Sequence, residues 1–429
     1  MRYNELILYK NLSTQSVLQD MDFIIENVGI KDATELKPLL FDCIHKILEV
    51  SDARGFSGDL WKTYLTYLLV ADENTYSKSC EIVGNVEGSI NKATLHDLQI
   101  IKEYFDYDLQ TLGNRLGVGA ISLLYGYVPV KSSKKLFNTR IRDRICNLSK
   151  ELESQDDVAA FKDTLTHFYK EYGVGQIGLH KAFRVNHIQH KTTIEPITNI
   201  THVHLDDLVG YEIPKQRLID NTEAFIKGKK SNNCLLFGDA GTGKSTCIKA
   251  ILNQYYGDGL RIIEVYKHQF QYLNDVIAQV KNRNYKFIIY MDDLSFEEFE
   301  VEYKYLKAII EGGLEKKPAN VLIYATSNRR HLIREEFGDR QGMKEDLHPT
   351  DTVQEKQSLS ARFGEPIYFR QPNPEEFKEI VRVLANRNHI TMEDDQLMDT
   401  LNKWQMSRGG KSGRAAQQFI DHLLGTVTE

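Results

Sequence analysis

The sequence predicts an α/β fold: a five-stranded, mostly parallel sheet covered by helices, with a mostly helical N-terminal domain before it and a small helical region after it. Three observations support this prediction. Apolar residues recur at helical spacing up to about residue 172. Five short apolar runs then alternate with amphipathic segments, and after Pro372 only helical patterns follow. We therefore divide the chain into residues 1–172, a linker or strap at 173–204, an α/β core at 205–371 and a helical region at 372–429.

The composition is that of a globular protein, with 41% apolar and 27% charged residues among 429 and a net charge of −6. It excludes disordered and fibrous classes, and it lacks the basic balance of a nucleic-acid-binding domain. The cysteines lack C-x-x-C spacing, which disfavours a disulfide framework or a zinc site and favours a reducing compartment. They are Cys43, Cys80, Cys146, Cys234 and Cys247. No apolar stretch approaches the ~20 residues that span a bilayer, and no signal peptide is evident. We expect a cytoplasmic protein that does not bind membranes.

The N-terminal domain carries apolar stripes that we interpret as core, such as Leu36, Leu40, Ile44 and Ile47. One basic cluster stands out, and a solvated helix face or contact with a phosphate backbone would each explain it. Its members are Lys131, Lys134, Lys135, Arg140, Arg142 and Arg144. No residue pattern assigns a role to residues 1–172.

Two patterns in the linker have the residues of a ligand site without the surroundings that such a site needs. Gly173, Gly175 and Gly178 spell G-x-G-x-x-G, but they follow a helical stripe, whereas a dinucleotide-binding loop follows a buried strand. Four histidines lie nearby without carboxylate or cysteine residues at ligand spacing. They are His187, His190, His202 and His204. Both a dinucleotide site and a metal site are therefore disfavoured here.

A glycine-rich loop predicts a site for a nucleoside triphosphate. It matches G-x-x-x-x-G-K-[ST], follows the apolar run 234–237 and precedes a helical stripe. Its glycines let successive N–H groups point at phosphate oxygens at a helix N-terminus. Lys244 would bridge the β- and γ-phosphates of ATP, and the Ser245 hydroxyl would ligate Mg²⁺. The loop consists of Gly238, Asp239, Ala240, Gly241, Thr242, Gly243, Lys244, Ser245 and Thr246.

Polar residues at the ends of two further predicted strands fit the same site, because ligands bind at the carboxyl ends of parallel strands. Asp292 and Asp293 follow the apolar run 287–291, and Asn328 follows the run 321–325. Asp292 would hold Mg²⁺ through its water shell, and Asp293 would orient or deprotonate the attacking water. The Asn328 amide would hold that water beside the γ-phosphate. A strand-terminating turn is the alternative for Asn328.

Hydrolysis builds negative charge on the γ-phosphate oxygens and calls for an added cation. Arg362 lies just before the last predicted strand, and Arg414 begins a predicted helix of the C-terminal region. A surface ion pair is the alternative for each. The competing arginines are Arg329, Arg330 and Arg334.

With these motifs in place, residues 205–424 resemble the AAA+ ATPases. The resemblance implies a five-stranded αβα core of strand order 5-1-4-3-2 and a C-terminal helical lid. It also implies Walker A at the glycine-rich loop, Walker B at 287–293, sensor 1 at Asn328, an arginine finger at Arg362 and sensor 2 at Arg414. The string LDDLVGYEIPKQRLIDN at 205–221 is similar to the adenine-side box of these proteins. By that likeness, Val209, Gly210 and Tyr211 would lie against the base.

More narrowly, several strings look like a bacterial AAA+ family known only as a domain of unknown function, number eight hundred and fifteen. They include YGVGQIGLHKAFR, LLFGDAGTGKS, FIIYMDDLSFE and GGKSGRAAQQF. The family name carries no cellular role, and it explains Gly173–Gly178 as family scaffold.

The sequence departs from the broad AAA+ pattern at Asp293, where the second Walker B acid is usually glutamate. Aspartate is one methylene shorter, and a base displaced by roughly 1 Å can cost on the order of 10²-fold in rate. We therefore expect a slow, oligomeric ATPase that switches an unidentified partner between conformations. The alternative is a nucleotide-gated module that binds DNA or a protein with little hydrolysis. The sensor-like residues and the helical tail argue against a nucleotide kinase.

Overall fold

A computed structural model describes residues 3–129, 138–189, 191–198, 200–297, 300–311, 318–330, 332, 359–408 and 410–426. The chain divides into two compact units, Met1–Leu179 and His180–Glu429. The boundary falls within the stretch predicted as a linker. The four-part division of the chain stays a prediction.

The first unit is helical in its described residues. Its helices are α1 (Ser16–Asn27), α2 (Ala33–Arg54), α3 (Leu60–Ala71), α4 (Thr75–Val83), α5 (Ile90–Phe105), α6 (Leu109–Leu116), α7 (Thr139–Glu153), α8 (Val158–Tyr172) and α9 (Gly175–Leu179). Several begin at an Asp or Asn whose side chain accepts a backbone N–H of the first turn, as Asp59 does for α3 and Asn74 for α4. The stripe of Leu36, Leu40 and Ile47 is fully buried, which confirms its interpretation as core.

The G-x-G-x-x-G pattern at Gly173–Gly178 lies where α8 gives way to α9, so a helix rather than a strand precedes it. It therefore lacks the βαβ setting of a dinucleotide-binding loop.

The second unit contains a seven-stranded sheet among its described residues. The strands are β1 (Ala182–Ile188), β2 (Lys191–Pro196), β3 (Cys234–Gly238), β4 (Leu260–Glu264), β5 (Lys286–Met291), β6 (Val321–Ser327) and β7 (Glu365–Phe369). Their order is β2-β1-β4-β5-β6-β3-β7. The β1–β2 pair is antiparallel and every other neighbouring pair is parallel.

The five-strand prediction was incomplete. The five predicted runs form β3 to β7, and numbered alone they follow the order 5-1-4-3-2. The additional strands β1 and β2 lie in the predicted linker and extend the sheet beyond β4. The sequence AFRVNHI buries Phe183 and Val185 in a short alternating pattern that includes polar residues on both faces. That pattern is weak by itself, because β1 gains its stability from pairing with β4.

Helices cover the sheet and form the C-terminal region. They are α10 (Glu212–Ile226), α11 (Lys244–Tyr255), α12 (Leu273–Val280), α13 (Glu302–Glu311), α14 (Pro374–Arg387), α15 (Asp394–Arg408) and α16 (Gly413–Thr426). Buried residues of β3, β5 and β6 share one core with α10 and α11. The helices α14 to α16 have a core of their own, which includes Phe377, Leu401 and Phe419. The described residues after Pro372, where the sequence predicts only helical patterns, contain helices and no strand.

All five cysteines are buried and free. In the described part of the chain, no group of three or more His, Cys, Asp or Glu side chains could hold a metal ion. His187 of the linker instead stacks on Tyr272, with ring centroids 4.0 Å apart. Across those same residues, every helix is too short or too polar to cross a bilayer.

Candidate functional site

The glycine-rich loop connects β3 to α11 and has the backbone curl that its sequence predicts. Gly238 has φ +134°, and a Cβ there would lie 2.0 Å from the carbonyl oxygen of Phe369 on the neighbouring strand β7. Only glycine therefore fits at the start of the loop. α11 begins at Lys244, so its first N–H groups face the space enclosed by the loop.

Lys244 is 7% exposed, and its ammonium group is folded back over the loop. Nζ donates to the carbonyl oxygens of Gly238 and Asp239, at 2.9 and 2.7 Å, and to Oδ1 of Asn328 at 3.1 Å. Burial lowers the pKa of Lys244, and nearby carboxylates, Asp239 foremost, oppose that shift without cancelling it. The site thus holds a partly desolvated ammonium group whose present hydrogen-bond acceptors are neutral. An anion could take the place of these acceptors.

Asp292 lies at the end of β5 and accepts two hydroxyl hydrogen bonds. Ser245 Oγ donates to its Oδ1 at 2.7 Å, and Thr326 Oγ1 donates to the same oxygen at 2.6 Å. Burial tends to raise the pKa of Asp292, but the Thr326, Tyr290 and Ser245 hydroxyls stabilise the carboxylate, so the pKa is lowered overall. A hydroxyl and an ionised carboxylate in direct contact are the hard oxygen donors that Mg²⁺ prefers.

Asp293 and Asn328 meet at the same edge of the sheet. Asn328 Nδ2 donates to Asp293 Oδ1 at 2.8 Å, and the Asp293 N–H donates to Thr326 Oγ1 at 2.9 Å. Asp293 has φ +50°, a left-handed conformation that aspartate tolerates better than most residues. The strand therefore turns sharply at this residue. Asn328 connects the Lys244 ammonium group to the Asp293 carboxylate, because its side chain hydrogen-bonds with both.

These groups line a cavity of about 640 Å³. The volume lies in the range of ligand pockets, roughly 300–1,000 Å³. The predicted site residues that line it are Val209, Tyr211, Ala240, Gly241, Thr242, Gly243, Lys244, Ser245, Thr246, Asp292, Asp293, Asn328 and Arg414. Gly238, Asp239 and Gly210 do not line it. Asp239 instead binds the backbone N–H of Gln371 through its carboxylate, at 2.9 Å.

The wall predicted to contact adenine is apolar. Leu208, Val209 and Tyr211 line it, and the Tyr211 ring packs on Phe369 with centroids 5.5 Å apart. Burial raises the pKa of Tyr211 to about 12. Arg387 of α14 donates to the carbonyl oxygens of residues 206 and 207, at 2.5 and 2.9 Å, and so ties this wall to the C-terminal helices.

Arg414 also lines the cavity and lies at the start of α16. Its backbone N–H donates to the Gly241 carbonyl of the loop at 3.2 Å. Its side chain is exposed and has no ion-pair partner among the residues that the structure describes. This places a cation beside the loop.

Arg362 does not line the cavity of its own chain. It forms an ion pair with Glu311 at the end of α13, and its side chain is 30% exposed. Among its competitors, Arg330 lies over the Phe237 ring at 6.0 Å, and Arg334 falls outside the described residues. Within one chain, Arg414 is therefore the predicted arginine that reaches the site.

Sequence reasoning missed several residues of the cavity: Asp207, Leu208, Thr326, Ile380, Leu384 and Gln417. The signal for Thr326 was available, because it precedes Asn328 by two positions at the end of a predicted strand. Ile380 and Leu384 belong to an amphipathic helix, and helical periodicity does not distinguish a core-facing residue from a cavity-facing one.

Gly241 provides a direct test of the contact between the loop and α16. It has φ +76°, and a Cβ there would lie 2.8 Å from Ser412 Oγ and 3.1 Å from Arg414 Cβ. We expect Gly241→Ala to reduce ATP affinity about tenfold in calorimetric titration, because the left-handed conformation alone costs roughly 1–2 kcal/mol. Gly257→Ala is the matched control, since no atom lies within 4 Å of the added methyl group. Equal affinity in the two variants would contradict the expectation.

The parallel strands in the order 5-1-4-3-2, the loop after β3, the acids after β5 and the amide after β6 together define a protein of the AAA+ ATPase superfamily. The chain belongs to the family described as "Protein of unknown function (DUF815)", whose profile matches residues 178–427.

Curated relatives match a shorter part of the chain. The replication factor C large subunit of Methanococcus vannielii is 38% identical over 76 residues, which are 18% of this chain and 15% of that protein. The replication factor C large subunit of Staphylothermus marinus is 35% identical over 71 residues, 16% of each protein. The match thus spans only about a sixth of these relatives.

Among solved structures, a point mutant of Thermotoga maritima RuvB matches with a TM-score of 0.38 and 20% identity, over 53% of this chain and 67% of that chain. The T. maritima RuvB Holliday junction branch migration motor matches with a TM-score of 0.32 and 16% identity, over 52% of this chain and 72% of that chain.

Proposed function

We propose that this protein binds ATP with Mg²⁺ and hydrolyses it to ADP and phosphate in order to switch the conformation of a partner. One observation carries the proposal: a continuous hydrogen-bonded network links Ser245, Asp292, Thr326, Asp293, Asn328 and Lys244 around one cavity. The network unites a cation, two carboxylates and a polar amide, which are the groups that phosphoryl transfer to water requires.

Each group has a distinct task in this proposal. The loop N–H groups and Lys244 bind the phosphates, and Ser245 and Asp292 hold the metal ion. Mg²⁺, when bound, neutralises charge that develops on the phosphate oxygens. Asp293 accepts a proton from the attacking water, and the hydrogen bond from Asn328 fixes the carboxylate in orientation. Because the Asp293 side chain is one methylene shorter than that of glutamate, the reaction is slow in this proposal.

The position of Arg362 supports the proposal that a second copy of the chain takes part in the reaction. It is an arginine with no place in its own cavity, and it lies at the surface in an ion pair with Glu311. In the proposal, Arg362 leaves Glu311 and reaches the γ-phosphate in a neighbouring subunit, whereas Arg414 serves the site of its own chain. The functional form is accordingly a homo-oligomer.

Arg362→Ala should leave ATP affinity near that of the wild type and reduce phosphate release about 10³-fold, because an arginine finger contributes at least that factor. Mixing Arg362→Ala with Lys244→Ala subunits should restore part of the lost turnover, since each variant supplies the group that the other lacks. Phosphate release is measured for each variant alone and for the mixture.

Arg217→Ala is the matched control, because Arg217 also forms a surface ion pair with a glutamate, Glu365, at 2.6 Å. It should retain turnover. A mixture that stays as inactive as its components would refute action in trans.

A nucleotide-gated binding module is the second candidate, and the short acid Asp293 favours it. Tight ATP binding without phosphate release above background by the wild type would support this candidate over an ATPase. The basic cluster offers less support for a DNA partner. Arg142 pairs with Asp143 at 2.7 Å, and Arg144 lies over the Tyr172 ring at 4.1 Å, so both are engaged within the chain. Lys131, Lys134 and Lys135 lie outside the described residues.

A further inference from the structure

Tyr290 of β5 is a buried tyrosine whose hydroxyl group lies beside polar groups of the candidate site. The residue is 4% exposed. Its hydroxyl oxygen is buried and makes no hydrogen bond of normal geometry with any described residue. A buried polar group without a partner destabilises the folded state. A phenylalanine would fill the same space without that cost, so packing alone does not account for a tyrosine here.

The hydroxyl lies among the groups proposed to hold Mg²⁺. The Asp292 carboxylate and the Ser245 and Thr326 hydroxyls lie near enough to the Tyr290 hydroxyl to exchange a hydrogen bond with it after a small adjustment. A tyrosine hydroxyl is neutral at pH 7, because its ordinary pKa is about 10.

A neutral phenol can both accept and donate a hydrogen bond. Mg²⁺ dehydrates reluctantly and keeps several water molecules, whose hydrogens need acceptors. Ser245 and Thr326 already donate to Oδ1 of Asp292, so they serve as donors in this cluster. Tyr290 places a further oxygen, able to accept a hydrogen bond, beside Ser245, Thr326 and Asp292.

We propose that Tyr290 is a positioning residue for the magnesium–nucleotide complex, with its hydroxyl group accepting a hydrogen bond from the hydration shell of the metal ion and donating one to Asp292. This inference rests on the proposed function, because it needs a magnesium–nucleotide complex at Ser245 and Asp292. It assigns the buried hydroxyl a donor from the hydration shell in addition to the acceptor that Asp292 supplies.

Tyr290→Phe tests the inference, because it removes the hydroxyl and keeps the ring. ADP affinity is measured by calorimetry with excess Mg²⁺ and again with EDTA. The affinity in EDTA should match that of the wild type, and the gain in affinity on adding Mg²⁺ should be about fivefold smaller, as expected for one hydrogen bond of roughly 1 kcal/mol. The free variant should unfold at the wild-type temperature or above it, because an unpartnered hydroxyl is removed.

Tyr324→Phe is the matched control. Tyr324 is a fully buried tyrosine on β6 whose hydroxyl hydrogen-bonds with Asn221 and Thr222, both at 3.0 Å. Its variant should melt at a lower temperature and keep the wild-type response to Mg²⁺. The pair separates loss of a structural hydrogen bond from loss of a hydrogen bond to the metal site.

Three outcomes overturn the inference. The first is a magnesium response in Tyr290→Phe equal to that of the wild type. The second is an equal loss of affinity with and without Mg²⁺, and the third is destabilisation as large as that of Tyr324→Phe. If the wild type itself binds no adenine nucleotide, the proposed function fails together with the inference. Normal wild-type binding combined with any of the three outcomes overturns the inference alone.

Discussion

Lys244→Ala should reduce the affinity for ATP at least about 10²-fold. Lys244 is 7% exposed, and among the described residues its ammonium group is the only cation whose hydrogen bonds join the loop to Asn328. A charge-assisted hydrogen bond contributes about 1.5–3 kcal/mol, and Lys244 would contact two phosphates. Isothermal titration calorimetry of the purified variants with ATP and Mg²⁺ measures the effect.

Lys249→Ala is the matched control, because Lys249 lies on the same helix and is exposed. Both variants replace a lysine with the best helix former, so α11 should keep its stability. Unchanged affinity in Lys244→Ala would show that the phosphate site has been assigned to the wrong residues.

Asp293→Asn should reduce phosphate release at least about 10²-fold and leave ATP affinity within about twofold of the wild type. The amide has the size of the carboxylate, and its oxygen can still accept the hydrogen bond from Asn328, but it cannot take a proton from water. Removing a general base costs about 10²–10⁴-fold in rate. Single-turnover assays with saturating protein separate this step from nucleotide binding.

Asp258→Asn serves as the control for Asp293→Asn, because Asp258 is exposed in the turn after α11. If Asp293→Asn retains phosphate release, a group other than Asp293 acts as the general base. Release that is already at background in the wild type would favour the nucleotide-gated module instead.

The glycine-rich loop and the two acids could be predicted because their information is local. Fixed spacing puts Lys244 and Ser245 at the start of α11, and two acids directly after an apolar run lie at a strand end. Parallel strands carry their carboxyl ends to one edge, so Asp292 and Asn328 were expected to be neighbours. In the structure, Thr326 contacts Asp292, and Asn328 contacts Asp293.

Other features depend on contacts that no short pattern encodes. The strand β1 pairs with the edge of β4, and β2 pairs with β1. The sequence of β1 alternates only weakly, so it does not predict this pairing. The pairing of Arg362 with Glu311 joins residues 51 positions apart (362 − 311), and helical periodicity does not predict it. In the sequence, Tyr290 fits the pattern of a buried apolar strand. Only the structure shows that its buried hydroxyl makes no hydrogen bond of normal geometry with the described residues.

The hairpin of β1 and β2 also bears on how copies of this chain could associate. Because of this hairpin, β2 rather than β4 is one edge strand of the sheet, and Lys191 and Pro196 are its first and last residues. The other edge strand is β7, which contains Pro366. Proline and charge on a border strand hinder the addition of a foreign strand. A ring or filament of such subunits would consequently be assembled from side-chain surfaces and loops, and its subunits could rotate against one another without tearing a shared backbone ladder.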